Sequence, residues 1–375
     1  MNLRSILGWI FAARTTARTA QRLISPKRSS RSRQKSLISL RTLVVVAVLG
    51  GAAYFGFRGM EWRPSWPLGE NQHTTTGSPG LGQATPPAVV PVGGEQAAAQ
   101  QTLIIGSFNI QTFGRAKMQN PSVMGILVDV ARRFDLLAIQ ELRSTEQDII
   151  PKFAQMVNAD GSNYRYIVGP RQGHTISKEQ YVYLYDANKL APIAPPYVAT
   201  DASGQFHRSP LVAHFRSLEI PPDQAFSFIL LNVHTDPDEI RFEIPELRTI
   251  IERVRRENPG EDDIIILGDF NAPPRFFLPY QWFAHPYAAI DDDWTTNVRE
   301  NRNYDNLVFD QIATREFTGR RGVLNFRRTY QLELEDALKV SDHFPVWAEF
   351  SIYETPTRTP VTGAQNTGAL APALR

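Results

Sequence analysis

The run Gly268-Asp269-Phe270-Asn271 ends an apolar stretch at 264–267 and sets a carboxylate and a carboxamide close together. A buried strand there delivers two oxygen ligands to one edge of a sheet. Ser107-Phe108-Asn109, Gln140-Glu141, Asn232-Val233-His234 and Ser341-Asp342-His343 each end a similar apolar run. Five polar tips at five strand ends point to one site. Asn109, Glu141, Asp269, Asn271, Asp305 and Asp342 are hard oxygen donors, which suit magnesium, manganese or calcium rather than zinc. Singly, each has an ordinary reading: Asn109 and Asn271 as turn residues, Asp305 as a surface acid, Glu141 as a cap. Their shared position at the ends of apolar runs is what makes them a set.

His234 and His343 each directly follow a strand-end run and have polar neighbours, Asn232 and Asp236 for one, Ser341 and Asp342 for the other. An imidazole steered by a carboxylate serves as general acid or base, and an imidazolium stabilises charge developing on phosphorus. Two of them beside a divalent metal supply what phosphoester hydrolysis needs: an activated water, neutralised oxygens and a protonated leaving group. His174, His207, His214 and His285 have no acidic strand-end neighbour and read as ordinary surface or core residues.

The elements that must position these groups alternate along the chain. Strand patterns fall at 103–108, 136–139, 164–168, 181–185, 211–218, 226–233, 264–267, 306–309 and 346–352. Helical spacing falls at 121–133, at 145–157 with Ser144 as its cap, and at 245–257 with Pro245 in the first turn. The strands between 164 and 233 have no helix between them, so the sheets are antiparallel or mixed. A two-sheet sandwich covered by helices fits this better than a doubly wound parallel sheet.

The apolar-periodic part occupies about residues 102–353 of 375, enough for one large α/β or α+β domain. Residues 1–41 hold ten Lys or Arg and no acid, so the 40 basic and 38 acidic residues of the chain leave 30 against 38 elsewhere. Any polyanion bound by this acidic body is held by local Arg clusters or bridging metal. With no cysteine, disulfides, thiolate zinc sites and cysteine nucleophiles are excluded. Residues 42–57 carry no charge between Arg41 and Arg58 and form a short candidate membrane anchor; the basic leader before them places 1–41 in the cytoplasm and the body outside it, periplasmic or extracellular. The competing reading is a cleaved signal with Gly51-Ala52-Ala53 as its site, which would leave the body secreted. Residues 58–101, rich in Pro, Gly, Thr, Gln and Ala, read as a flexible linker, and 354–375 as a disordered tail.

Over residues 102–353 the chain resembles the endonuclease/exonuclease/phosphatase superfamily, and within it the deoxyribonuclease I branch. The resemblance rests on Phe108-Asn109-Ile110, the run Asp135 to Arg143 with Gln140-Glu141, Asn232-Val233-His234-Thr235, Gly268-Asp269-Phe270-Asn271, Tyr304-Asp305 and Ser341-Asp342-His343-Phe344-Pro345. It implies a four-layer α/β/β/α sandwich with the site at one edge of the two sheets. By resemblance, Glu141 and Asp342, with Asn109, would hold the metal, magnesium first with manganese or calcium possible. Asp269 and Asn271 would orient water and a phosphate oxygen. His234 would pair with Glu179 and His343 with Asp305, sharing acid and base work. Arg143, Arg171 and Arg208 would bind substrate phosphate, and Thr296 is a weaker match. Asn306 stands where the branch usually has arginine, and the branch's disulfide cysteines are missing, which leaves the loop between Asp269 and Asp305 to be pinned otherwise. Asp291-Asp292-Asp293 reads as an exposed acidic turn in preference to a calcium loop.

These observations predict a membrane-tethered, metal-dependent endonuclease that cuts DNA with low sequence specificity and needs no obligate protein partner. The alternative is a phosphodiesterase or phosphatase acting on a phospholipid or other small phosphoester, for which residues 273–278 would supply an apolar lip. A non-catalytic surface module is disfavoured because no expected chemical group is missing.

Overall fold

The structure, a computed structural model, describes residues 101–174 and 178–355. The leader at 1–41, the candidate anchor at 42–57, nearly all of the linker and residues 356–375 lie outside them. Among the described residues no helix is long and apolar enough to cross a membrane.

Among the described residues thirteen strands form two sheets. They are β1 (Thr102–Phe113), β2 (Leu136–Leu142), β3 (Tyr164–Val168), β4 (Gln180–Asp186), β5 (Leu190–Pro192), β6 (Tyr197–Val198), β7 (Leu211–Ser217), β8 (Ser227–His234), β9 (Ile264–Asp269), β10 (Pro286–Ala288), β11 (Asp305–Asp310), β12 (Phe317–Val323) and β13 (Val346–Ser351). The first sheet runs β12-β13-β1-β2-β4-β3 and the second β10-β11-β9-β8-β7-β5, with β6 on β7. Only β1 with β2 and β8 with β9 pair in parallel, so both sheets are mixed and mostly antiparallel.

Seven helices complete the described chain: α1 (Arg115–Met118), α2 (Pro121–Ala131), α3 (Ile149–Val157), α4 (Ile240–Glu257), α5 (Pro274–Phe277), α6 (Phe326–Thr329) and α7 (Leu334–Val340). Alternation along the strands sorts the core into three apolar clusters. Leu103, Ile105, Tyr183, Phe215, Phe228, Leu267 and Phe350 fill the space between the sheets. The opposite face of the first sheet packs Phe108, Leu137 and Ile139 on residues of α2 and α3. The outer face of the second packs Ile229, Leu231 and Ile266 on Ile244, Leu247 and Ile251 of α4. The order helices, sheet, sheet, helices is the expected sandwich.

Some boundaries differ from the sequence reading. The helix expected over 145–157 begins at Ile149, and Ser144 accepts from Glu146 N at 3.0 Å in a preceding turn instead of capping it. The helix expected to start at Pro245 starts at Ile240 and carries Pro245 inside. An internal proline removes one helical donor, yet Ile244, Leu247, Ile250, Ile251 and Val254 give this helix a continuous buried stripe that outweighs the loss. The helix expected over 121–133 stops at Ala131. Most consequential, β8 and β9 end on His234 and Asp269 and β11 begins on Asp305, as strand register requires, but β1 and β2 run past Asn109 and Glu141, and Ser341-Asp342-His343 follows helix α7 instead of ending a strand.

Candidate active site

Register puts Asp269 at the centre. It lies opposite His234 across the parallel β8–β9 pair and opposite Asp305 across the antiparallel β9–β11 pair. Gly268, one residue before it, makes this close approach possible: its φ is 152° and a Cβ there would stand 1.9 Å from Val233 O. Asn109 reaches across from the first sheet and donates Nδ2 to Asp269 Oδ2 at 3.0 Å and to Glu141 Oε1 at 3.3 Å. Glu141 sits at a bulge in β2 with φ 63°, a conformation that costs a non-glycine residue about 1–3 kcal/mol and re-aims its side chain. Asn271 also has positive φ, 49°, which asparagine tolerates better. Its N–H donates to Asp269 Oδ1 and its Nδ2 to Thr235 O, both at 2.9 Å.

Two imidazoles flank Asp269, each backed by a buried carboxylate. His234 Nδ1 lies 2.7 Å from Glu179 Oε1 and its Nε2 3.5 Å from Asp269 Oδ2. His343 Nδ1 lies 2.8 Å from Asp305 Oδ2 and its Nε2 3.6 Å from Asp269 Oδ2. Thr296 orients the second pair by donating its hydroxyl to Asp305 Oδ2 at 2.7 Å while accepting from Tyr304 N. Ser341 anchors the loop that carries Asp342 and His343, giving its hydroxyl to Asn109 O at 2.7 Å.

The charges follow from burial against pairing. Burial alone would raise the Glu179 carboxyl, but His234, Arg208 and Arg143 together bring it down to about 2. Burial opposes charge on His234, and Glu179 and Asp269 overcome it, so its pKa is raised. Burial likewise opposes charge on His343, where Asp305 and Asp269 hold the imidazolium well above the usual range. Burial raises the Asp305 carboxyl against the pull of His343.

Asn109, Glu141, Arg143, Arg208, His234, Asp269, Asn271, Asp342 and His343 line one open cleft of about 400 Å³, with Glu179 and Asp305 behind the imidazoles. The structure does not bring Arg171 to this lining; its guanidinium donates to Ser144 O and Lys178 O. Arg143 pairs with Glu141 at 3.1 Å and Glu179 at 3.4 Å, and the buried Arg208 with Glu179 at 3.3 Å and His234 O at 3.1 Å. Five lining residues were not proposed as site residues from sequence: His207, read as ordinary, and Asp236, Pro237, Asp238 and Tyr304. Glu243 of α4 was missed as well. It accepts from His207 N at 2.6 Å and Asp236 N at 2.8 Å and so fixes two cleft loops. No strand-end signal marks it, because it reaches the site from a helix. Lys117 donates to Val340 O at 2.6 Å, and burial lowers its pKa to about 8 although Asp342 and Glu141 oppose the fall.

The loop between Asp269 and Asp305 is pinned without disulfides. Arg321 pairs with Asp291 at 2.7 Å, Arg275 with Asp292 at 3.2 Å, and buried Asn306 bonds both backbone groups of Ile290. The acidic turn is therefore spent on arginines, and Asn306 on loop anchorage. Within residues 273–278, Phe277 is fully buried against Phe270 and Trp282, while Phe276 and Leu278 are partly buried against the same cluster.

A model of the endonuclease/exonuclease/phosphatase family matches residues 106–343, which span the cleft from β1 to His343. The chain belongs to that family. Like the family it is a hydrolase, acting on phosphodiester bonds. Deoxyribonuclease gamma of Rattus norvegicus is 31% identical over 263 residues, covering 65% of this chain and 83% of the relative. Deoxyribonuclease-1 of Gallus gallus is 30% identical over 261 residues, covering 65% and 91%. Deoxyribonuclease-1-like 1 of Mus musculus is 28% identical over 292 residues, covering 73% and 91%. This likeness extends the family assignment toward the deoxyribonuclease branch.

Proposed function

We propose that the protein is a divalent-metal-dependent endonuclease that cleaves DNA with low sequence specificity, tethered by residues 42–57 with its catalytic domain outside the cytoplasm. The observation that carries the hydrolytic reading is the convergence of two carboxylate-backed imidazoles on one carboxylate, Asp269. The basic leader and uncharged run support the tether, and the deoxyribonuclease relatives support the substrate.

The residues present fit a hard cation. Asn109 Oδ1 and Asp342 Oδ1 are buried atoms without hydrogen-bond partners, and Glu141 lies beside Asn109. Asn109, Glu141 and Asp342 would hold the ion, which when bound neutralises phosphate oxygens and helps ionise water. Asp269, Asp305 and His343 also approach within 4.8 Å, but His343 is already paired with both acids and serves better as a proton carrier.

Asp269, fixed by Asn109 and by the Asn271 N–H, orients the attacking water. His343 faces Asp305, Asp269 and Asp342, which raise its pKa well above the usual range, and His234 faces Glu179 and Asp269, which raise its pKa while Arg208 opposes them. The two carboxylate-backed rings share the acid and base work, each function being worth about 10²–10⁴ in rate. Arg143 and Arg208 set positive charge along the cleft, where phosphates would lie. The buried Phe277 and the polar lining favour DNA over a lipid substrate.

The test is the full-length chain assayed on supercoiled DNA, RNA and phospholipid vesicles with magnesium, manganese and calcium in turn, beside His234→Ala and His343→Ala. Nicking of DNA that needs metal and falls at least a hundredfold in both variants is expected. Phospholipid hydrolysis without DNA cleavage would replace the substrate, and an undiminished His234→Ala would overturn the roles.

A further inference from the structure

Asp263 directly precedes β9, at the end of the strand opposite Asp269, so six residues at about 3.3 Å each put it roughly 20 Å from the cleft. Its side chain is 1% exposed, and neither carboxylate oxygen has a hydrogen-bond partner of good geometry, although the Thr314 hydroxyl approaches as a donor. A buried carboxylate is ordinarily hydrogen-bonded, paired or bound to metal. Glu261, its neighbour, shows the usual arrangement, accepting from Ser227 Oγ at 2.6 Å and contacting His214 at 2.9 Å.

What faces Asp263 is more negative charge. Glu316, 2% exposed, and the half-exposed Glu354 bring carboxylate oxygens to within 4.8 Å of it and of one another. Glu316 Oε2 has no hydrogen-bond partner, while its Oε1 accepts from Thr355 N at 2.5 Å. Glu354 Oε2 accepts from Ser227 N at 3.2 Å. The Thr314 hydroxyl is also buried beside Asp263. Burial, reinforced by Glu316 and Glu354, raises the Asp263 carboxyl far above the usual carboxylate range.

We propose that Asp263, Glu316 and Glu354, with the Thr314 hydroxyl, form a second cation site that takes a calcium-sized divalent ion and fastens the segment 352–355 to this end of the sheet. All the donors are hard oxygens. Oxygens within 4.8 Å of one another are spanned by an ion with bonds of about 2.3–2.6 Å and flexible coordination, whereas magnesium, at about 2.1 Å, demands a tighter octahedron. Glu354 provides the route from solvent. The ion would join the start of β9, the connection from β11 to β12 and the chain after β13. That chain is also held at Ile352 by Phe226 N, Ser217 Oγ and Gln101 O, and beyond it by Glu354 N on Gln224 O and the Ala225–Tyr353 bridge.

The test separates this site from the cleft by using the full-length chain carrying Glu141→Gln and Asp342→Asn. Calorimetric titration with calcium after chelator removal is expected to show one remaining site, and calcium to raise the melting temperature. Adding Asp263→Asn and Glu316→Gln should abolish both responses and raise the melting temperature in chelator, because the like charges are gone. Should that combination fail to fold, Glu354→Gln alone should weaken calcium binding about tenfold or more. Absence of calcium binding in the cleft variant, or binding that survives loss of Asp263 and Glu316, overturns the proposal. So does a melting temperature that ignores calcium but rises on acidification, which would mean that the carboxyls share protons instead.

Discussion

Gln140 on β2 donates its Nε2 to Asn232 Oδ1 on β8 at 2.7 Å, both side chains wholly buried, so the two sheets are hydrogen-bonded to each other beneath the cleft. Asn232 returns its own donor to the carbonyls of Ile139 and Val182, and Gln140 donates to Ser107 as well. Apolar contact between sheets is non-directional. This polar bracket is directional, and it sits one residue before Glu141 and two before His234. It therefore fixes the half of the site that carries Glu141 against the half that carries His234.

Replacing Asn232 by Leu keeps the volume but leaves Gln140 Nε2 with Ser107 alone and takes a donor from the carbonyls of Ile139 and Val182. Leaving a buried polar group unpaired costs about 1–3 kcal/mol. Urea unfolding should show a loss in that range, with kcat/KM falling at least tenfold. A variant that loses under about 0.5 kcal/mol and keeps its rate would show that the bracket positions nothing.

Gly268→Ala tests the register directly. The new Cβ would meet Val233 O at 1.9 Å in a backbone conformation that L side chains rarely adopt, and a backbone atom cannot swing aside. A loss on the order of 3 kcal/mol or more is expected, read as a lowered melting temperature or insoluble protein. Wild-type stability in this variant would mean that β8 and β9 can separate without disturbing His234 opposite Asp269.

The strand ends at His234 and Asp269 were legible because a buried strand must finish somewhere and these polar residues break apolar runs; the same signal marked Asn109, Glu141 and Asp342, although β1 and β2 continue past the first two and a helix precedes the third. The sandwich was legible for a related reason: successive strand patterns without helices between them must pair antiparallel. What sequence did not reveal was reached from helices and loops. Glu243 lies on a face of α4 that also buries Ile244 and Leu247, so periodicity marks it only as a helix residue. His207 gains its place from the backbone bond to Glu243, about which its own neighbours in sequence say nothing. Arg171 shows the opposite failure, since a loop arginine beside Glu179 looks free until its carbonyl partners are known.

That contrast predicts different outcomes for two arginines. Arg208 is buried against Glu179 and the His234 carbonyl, so Arg208→Ala leaves Glu179 with one cation fewer and loosens His234. Its kcat should fall by about 10²-fold or more, with a measurable loss of stability. Arg171→Ala removes contacts to two loop carbonyls and should cost less than tenfold in kcat, appearing mainly in KM. Equal kcat losses for the two would place Arg171 at the substrate after all.

Glu179 links stability and catalysis to pH. Because its folded pKa, about 2, lies below the ordinary 4.5, its contribution to stability is complete above pH 4.5 and disappears as pH falls toward 2. Glu179→Gln should therefore flatten the decline in unfolding free energy across that window, measured by urea titration at successive pH values. The same carboxylate raises the pKa of His234, so the variant should let His234 lose its proton at lower pH, while burial and Arg208 both continue to disfavour the imidazolium. The limb of the kcat/KM profile that reports His234 should shift to lower pH, and kcat should drop by about 10²–10⁴. An unchanged profile together with a large kcat loss would show that Glu179 orients the ring without setting its charge.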